Sequence, residues 1–128
     1  LRIADWFAVP QVFCSPGSVD VYNPKVVQAS MGAFLRVDSQ EIELETLLRR
    51  QPELPVLGAV LDGENLFTTP LPSSGLLIVG NESKGIRPAT QQLLSHRIAI
   101  PKAPGGGAES LNAAVATGII TACWINRV

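Results

Sequence analysis

The sequence predicts an α/β fold built on a mostly parallel sheet with helices on both faces. Three observations carry that expectation. Short runs such as Leu76-Leu77-Ile78-Val79 are apolar at every position, as strands buried on both sides require. Between such runs lie segments with helical spacing and helix-end signals, and this alternation marks a parallel sheet covered by helices. The chain has 128 residues and 46% hydrophobic content, which fits one domain over 1–128 that buries about two thirds of its unfolded surface.

The elements follow in chain order. Leu1 to Phe7 reads as the middle of an element, as if the chain began inside a larger domain. Gln11 to Cys14 reads as a short strand stopped by Ser15-Pro16-Gly17-Ser18. Asn23-Pro24 is a helix start, with Asn as the cap and Pro at the first helical position; that helix runs to about Met31 and ends at Gly32. Residues 33–37 read as a strand. Asp38 to Glu41 has the form of a capping box, opening a helix with Ile42, Leu44, Leu47 and Leu48 on its apolar face. That helix stops near Arg50, ahead of Pro52 and Pro55. Residues 56–61 suit a buried strand, and 62–65 a turn. The strand 76–79 is stopped by Gly80. Pro88 opens a short helix over 89–95, and 97–100 form a last strand ended by Pro101. A glycine-rich loop over 103–108 then leads to a long helix capped by Ser110 and running through Asn126. Its apolar face would be Leu111, Val115, Gly118, Ile119, Ala122 and Ile125.

Composition excludes several functions. Ten Lys and Arg against eleven Asp and Glu give a net charge of −1, which is wrong for a polybasic arm, so any nucleic-acid contact must come from a local patch. No apolar run approaches the ~20 residues of a membrane span, and no targeting pattern opens the chain. Two cysteines, Cys14 and Cys123, make no disulfide framework and suit a reduced, cytoplasmic setting. A single histidine, His96, argues against a His-based metal site and against a Ser-His-Asp triad, so no metal is expected.

Two loops attract a functional reading. Val79-Gly80-Asn81-Glu82-Ser83-Lys84-Gly85-Ile86 follows the most apolar strand, and ligands in open α/β sheets sit beyond the carboxyl ends of strands. Gly80 and Gly85 have P-loop spacing, but Ile86-Arg87 stands where Lys-Ser/Thr is required, which disfavours a nucleotide triphosphatase. Residues 100–112 place three consecutive glycines ahead of a helix N-terminus, an arrangement that is costly to order without a ligand or partner. Spacing alone leaves both loops open to a plainer reading. The first is a polar turn, Ser110 is only an N-cap, and Asn112 is only first-turn polarity.

Taken together, these segments resemble the SpoU/TrmH-type SPOUT family of RNA ribose 2′-O-methyltransferases. The resemblance covers nearly the whole chain. Arg2-Ile3-Ala4-Asp5-Trp6-Phe7, continued by Asn23-Pro24-Lys25-Val26-Val27 and Ala29-Ser30-Met31-Gly32-Ala33, looks like the first family motif. Leu77 to Ile86 looks like the second. Ile100-Pro101 with Ser110-Leu111-Asn112-Ala113-Ala114-Val115-Ala116 looks like the third. The family's first motif begins with a strand and an Asn upstream of the Arg; neither is present, so the catalytic domain is expected to lack its first strand here.

The resemblance implies a trefoil-knotted fold, a homodimer, S-adenosylmethionine as methyl donor, and structured RNA (transfer or ribosomal) as substrate. It implies that Gly80, Ile100 and Leu111 line the cofactor pocket, largely through their backbones, with the strand end at 59–61 closing it. It makes Arg2 the catalytic arginine, with Glu82, Ser110 and Asn112 completing the polar site. A guanidinium stays charged and is a poor base, so Arg2 is read as the orienter of the ribose or an adjacent phosphate. Lys25, Arg36, Lys84, Arg87 and Lys102 are candidates for an RNA patch, though each of them taken singly reads first as ordinary solvated surface. The competing reading from another class is a non-catalytic, dimerising RNA-binding module of the same fold.

Overall fold

The computed structural model describes residues 1–127, which form two compact units: Leu1–Arg50, and the chain from Gln51 onward. Each holds one parallel sheet with its helices, so the expected parallel pairing is present but divided between two sheets. No helix among the described residues is long and apolar enough to cross a membrane.

The first unit opens with α1 (Arg2–Trp6), followed by β1 (Gln11–Cys14), α2 (Pro24–Ser30), a 3-10 turn (Ala33–Leu35), β2 (Asp38–Glu41) and α3 (Leu44–Arg50). Asn23 caps α2 as its sequence predicts: its side chain accepts from the Lys25 amide at 2.9 Å, and Pro24 follows at the first helical position. Two expectations fail in the next segment. Residues 33–37 are not a strand, because Met31 and Gly32 both take left-handed backbone (φ 49° and 85°) and turn the chain into a 3-10 coil. The Asp38 to Glu41 stretch is not a capping box. It is strand β2, paired in parallel with β1 from Gln11↔Asp38 to Cys14↔Glu41. The Asp38 carboxylate accepts from Gln11 Nε2 at 2.9 Å instead of from its own helix, and the Ile42 amide continues the ladder to the Cys14 carbonyl. The helix behind it therefore starts at Leu44.

The second unit holds β3 (Val56–Asn65), β4 (Leu76–Val79), α4 (Pro88–Gln91), β5 (His96–Ala99) and α5 (Ala113–Ile125). The strand order is β4-β3-β5, all parallel, with Leu57, Leu66, Ile98 and Ile120 as the buried core. The expected turn at 62–65 is instead the second half of β3. Ala59 and Glu64 both face Ile98, so residues 60–63 bulge out and the strand resumes. Gly63 permits this, since a Cβ there would lie 2.7 Å from the Arg97 carbonyl. Arg97 ties the bulge down through Nη2, 2.7 Å from Asp62 Oδ1. That bond, aided by the residue's own backbone amide, holds the Asp62 carboxyl below its usual range. The real turn comes after Asn65, which accepts the Phe67 amide on its side chain. The helix expected over 89–95 is only α4, and the last strand begins one residue earlier than expected.

Helix α5 is apolar on nearly every side, so its sequence period points nowhere. The stripe expected to face inward does so only in part, through Ile119. Ile120 is buried with Ile119, Cys123 and Trp124 packed at the core, while Val115 and Ile125 stay exposed. The far end of α5 is fixed by polar contacts. Trp124 Nε1 donates to the Pro72 carbonyl at 2.6 Å, and the Arg127 guanidinium donates to the carbonyls of Leu66, Phe67 and Thr69.

Candidate active site

Because β4, β3 and β5 run parallel, their carboxyl ends share one edge of the sheet. Ala59 lies level with Val79 on one side and Ile98 on the other. Three segments leave the sheet there: the loop after β4 beginning at Gly80, the bulge of β3, and the loop after β5 beginning at Ile100. This is the edge at which open α/β sheets bind ligands.

The loop after β4 is closed on itself. Asn81 and Gly85 exchange backbone hydrogen bonds of 3.1 and 2.8 Å across an antiparallel bridge. Inside it, Asn81 Oδ1 accepts from the Ser83 amide, the Ser83 hydroxyl and the Lys84 amide. The narrowness of this turn is why position 80 is glycine: a Cβ there would sit 2.2 Å from the Gly85 carbonyl carbon. Ile86 is buried and anchors the loop, leaving Glu82 exposed near its tip.

The loop after β5 is exposed from residue 101 through 112. Its end corrects the expected cap: Asn112, not Ser110, is the N-cap of α5. Asn112 Oδ1 accepts from the amides of Ala114 and Val115 at 3.0 and 3.2 Å, which places the first helical residue at Ala113 and leaves Ser110 outside. The same amide donates through Nδ2 to Glu82 Oε1 at 2.9 Å. One side chain therefore caps a helix and clamps the two loops together.

The sequence-predicted residues fall into three groups. Glu82 and Asn112 meet directly, with Gly80 two residues before Glu82 in the same loop. Ile100 and Leu111 flank the glycine loop: the Ile100 side chain packs on the core and leaves its backbone for other contacts, while Leu111 is exposed. Ser110 is exposed beside them and makes no side-chain hydrogen bond among the described residues. Arg2 belongs to the first unit, exposed on α1. Of the RNA-patch candidates, all five are exposed, but Arg36 already uses Nε and Nη2 on the Asp5 carboxylate. Sequence reasoning passed over Asn81, the organiser of the first loop; an Asn two residues before a Ser in a strand-end loop is the Asx-turn signal that would have found it.

Replacing Asn112 tests the clamp. Asn112→Ala is expected to cost about 1 kcal/mol of stability, the usual effect of losing a cap. Asn112→Asp keeps the cap acceptor but sets two carboxylates together, so stability in urea recovers while the two loops separate. Equal amide-exchange protection of residues 81–85 in the Asp variant and the wild type would refute the clamp.

Comparison with known proteins identifies the class. The chain belongs to the SpoU rRNA methylase family, whose model matches residues 1–122. It is 42% identical to a protein of Porphyromonas gingivalis assigned to the TrmH family of RNA methyltransferases, with a TM-score of 0.89 over 99% of this chain and 53% of that one. An S-adenosylmethionine-bound rRNA methyltransferase of Sinorhizobium meliloti shares 26% identity at a TM-score of 0.89, covering 99% of this chain and 49% of its own. A 23S rRNA uridine 2′-O-methyltransferase of Streptomyces viridochromogenes is 32% identical over 94% of this chain and 45% of its own length. The chain thus spans about half the length of the relatives it matches.

Proposed function

We propose that the protein transfers a methyl group from S-adenosylmethionine to a ribose 2′-hydroxyl of transfer or ribosomal RNA. The observation that carries this reading is the Asn112–Glu82 hydrogen bond, which joins two ligand-type loops at the carboxyl edge of β4-β3-β5. The donor set there suits the cofactor. Backbone groups at Gly80, Ile100 and Leu111 can read a neutral heterocycle, the exposed Leu111 side chain offers apolar surface, and Glu82 supplies the carboxylate a cationic ligand favours. When bound, the cofactor supplies a methyl group already activated by its sulfonium.

The protein's remaining task is alignment and control of one proton. Arg2 orients the ribose or an adjacent phosphate, a role that matches a guanidinium's fixed fork of donors and permanent charge. Glu82 acts through Asn112 to hold the loop, and Ser110 offers a free hydroxyl to the pocket. Homodimerisation through the exposed apolar side of α5 belongs to the same proposal, as do the trefoil knot and a cytoplasmic setting; the exposure of Val115 and Ile125 supports the dimer. Lys25, Lys84, Arg87 and Lys102 would supply phosphate contacts, making binding salt-sensitive.

Calorimetry with S-adenosylmethionine, paired with methyl incorporation into unmodified tRNA and rRNA transcripts, tests the reading on the full-length protein. Saturable binding and label at a ribose 2′-oxygen are expected. RNA binding without any cofactor binding would leave the non-catalytic module standing instead.

A further inference from the structure

We propose that a cleft in the first unit, walled by Tyr22 and by residues 34–39, holds an unstacked nucleobase of the RNA substrate, next to the nucleotide whose ribose Arg2 orients. The inference rests on the RNA-methyltransferase reading and adds to it a base-binding subsite.

The cleft measures about 350 Å³, at the small end of the range for ligand sites. One wall is aromatic. Tyr22 and Phe34 meet edge to face, with ring centroids 6.3 Å apart and planes at 86°, yet the Tyr22 residue remains 72% exposed. The Tyr22 backbone is held in an Asx turn, since its amide donates to Asp20 Oδ1 at 2.8 Å. A tyrosine ring that packs edge to face on a neighbour yet stays open to solvent is a stacking platform, and single-stranded RNA is read by bases splayed onto aromatic rings.

The other walls decide between occupants. Arg36 and Asp38 bring opposite charges, and each is already engaged: Arg36 with Asp5 through Nε and Nη2, Asp38 with Gln11 through Oδ2. The lining is neutral in sum, which suits an uncharged heterocycle better than a phosphate or an acidic peptide. It still offers hydrogen-bonding groups of both kinds. Arg36 Nη1, Asp38 Oδ1 and the Ser39 hydroxyl make no hydrogen bond among the described residues. A base edge needs such a mixture of donors and acceptors; the apolar face of a helix does not.

The cleft is also tied to Arg2. Arg36 grips Asp5 by three bonds of 2.6 to 3.1 Å. Asp5 lies three residues after Arg2 on α1, on the same helix face, with Cβ atoms about 5–6 Å apart. One guanidinium thus forms part of the cleft wall and fixes the helix that carries Arg2, placing a base in the cleft within a nucleotide or two of a ribose at Arg2.

The probe is a single-stranded RNA decamer carrying 2-aminopurine, whose fluorescence falls when the base stacks, mixed with the full chain. Wild type is expected to quench it saturably. Tyr22→Ala should weaken that binding about tenfold, within the range for one lost base–aromatic stack. Tyr22→Phe and Tyr22→Trp should bind like wild type, because the ring and not the hydroxyl carries the contact. In methylation assays Tyr22→Ala should raise KM for RNA and leave kcat and S-adenosylmethionine affinity unchanged. Equal quenching by wild type and Tyr22→Ala overturns the proposal, as does a change of oligomeric state in Tyr22→Ala by sedimentation, which would make the cleft a contact between copies. If the wild type binds no S-adenosylmethionine and methylates no RNA, the functional reading fails, while the quenching difference still decides the base site.

Discussion

Gly80→Ala is expected to abolish S-adenosylmethionine binding and to cost about 1–3 kcal/mol of stability, the range for overpacking a site that cannot relax. The reason is local and geometric. The added methyl would lie 2.2 Å from the Gly85 carbonyl carbon, 2.4 Å from the Ile86 amide nitrogen and 2.6 Å from the Gly85 oxygen. All of these are backbone atoms, so no side chain can swing aside. Relief requires opening the Asn81–Gly85 bridge, and that frees Glu82 from its place against Asn112. Two other glycines calibrate the effect. Gly85→Ala meets nothing within 4 Å but holds φ at +67°, so it should cost only the left-handed strain of about 1–2 kcal/mol. Gly107→Ala meets nothing within 4 Å and has no such strain, so its stability should be unchanged. Urea midpoints and calorimetry on the three variants should rank them in that order. Wild-type cofactor affinity in Gly80→Ala would remove the loop from the binding site.

The ranking also shows which parts of this molecule were readable in advance. Where one short-range interaction decides the outcome, the sequence was enough: Asn23-Pro24 starts α2, and Leu76 to Val79 forms a strand that Gly80 ends. Where a distant partner decides, it was not. Asp38 to Glu41 carries a correct local helix-start pattern, yet the open hydrogen-bonding edge of β1, 27 residues earlier for the Gln11–Asp38 pair, takes it as a strand. The turn signal at 62–65 was overridden in the same way, because burying Leu66 and pairing Glu64 and Asn65 with β5 carries the chain past it. At the candidate site, motif resemblance named Glu82 and Asn112 without saying why they belong together. The bond between them joins residues 30 positions apart and needs the parallel sheet to exist first. The exchange of Ser110 for Asn112 as the cap has a smaller cause: both are good capping residues, and only backbone geometry separates them.

Arg2→Ala should reduce methyl transfer by about 100- to 1,000-fold, the loss typical of removing one preorganised donor from a reacting centre. Stability should stay within about 0.5 kcal/mol of wild type, because Arg2 is exposed and its side chain makes no hydrogen bond or ion pair among the described residues. S-adenosylmethionine affinity should be unchanged as well, since the proposed cofactor contacts are at Gly80, Ile100 and Leu111. Arg2→Lys separates charge from shape. A lysine keeps the positive charge but not the planar fork, so partial recovery assigns Arg2 to a phosphate as a point charge, and no recovery assigns it to paired hydrogen bonds on the ribose or phosphate. Asp5→Asn adds a further check. Arg36 holds the Asp5 carboxyl below its usual range, chiefly through their hydrogen bonds, so the pair is intact above the ordinary carboxylate range and is lost as pH falls through the lowered value. If α1 needs that pair to aim Arg2, Asp5→Asn lowers kcat at neutral pH and removes the acid limb of the wild-type profile, while Arg2→Ala is too slow for either change to show. Undiminished turnover in Arg2→Ala, measured in the full-length protein, would mean that the exposed arginine is surface and that another residue faces the ribose.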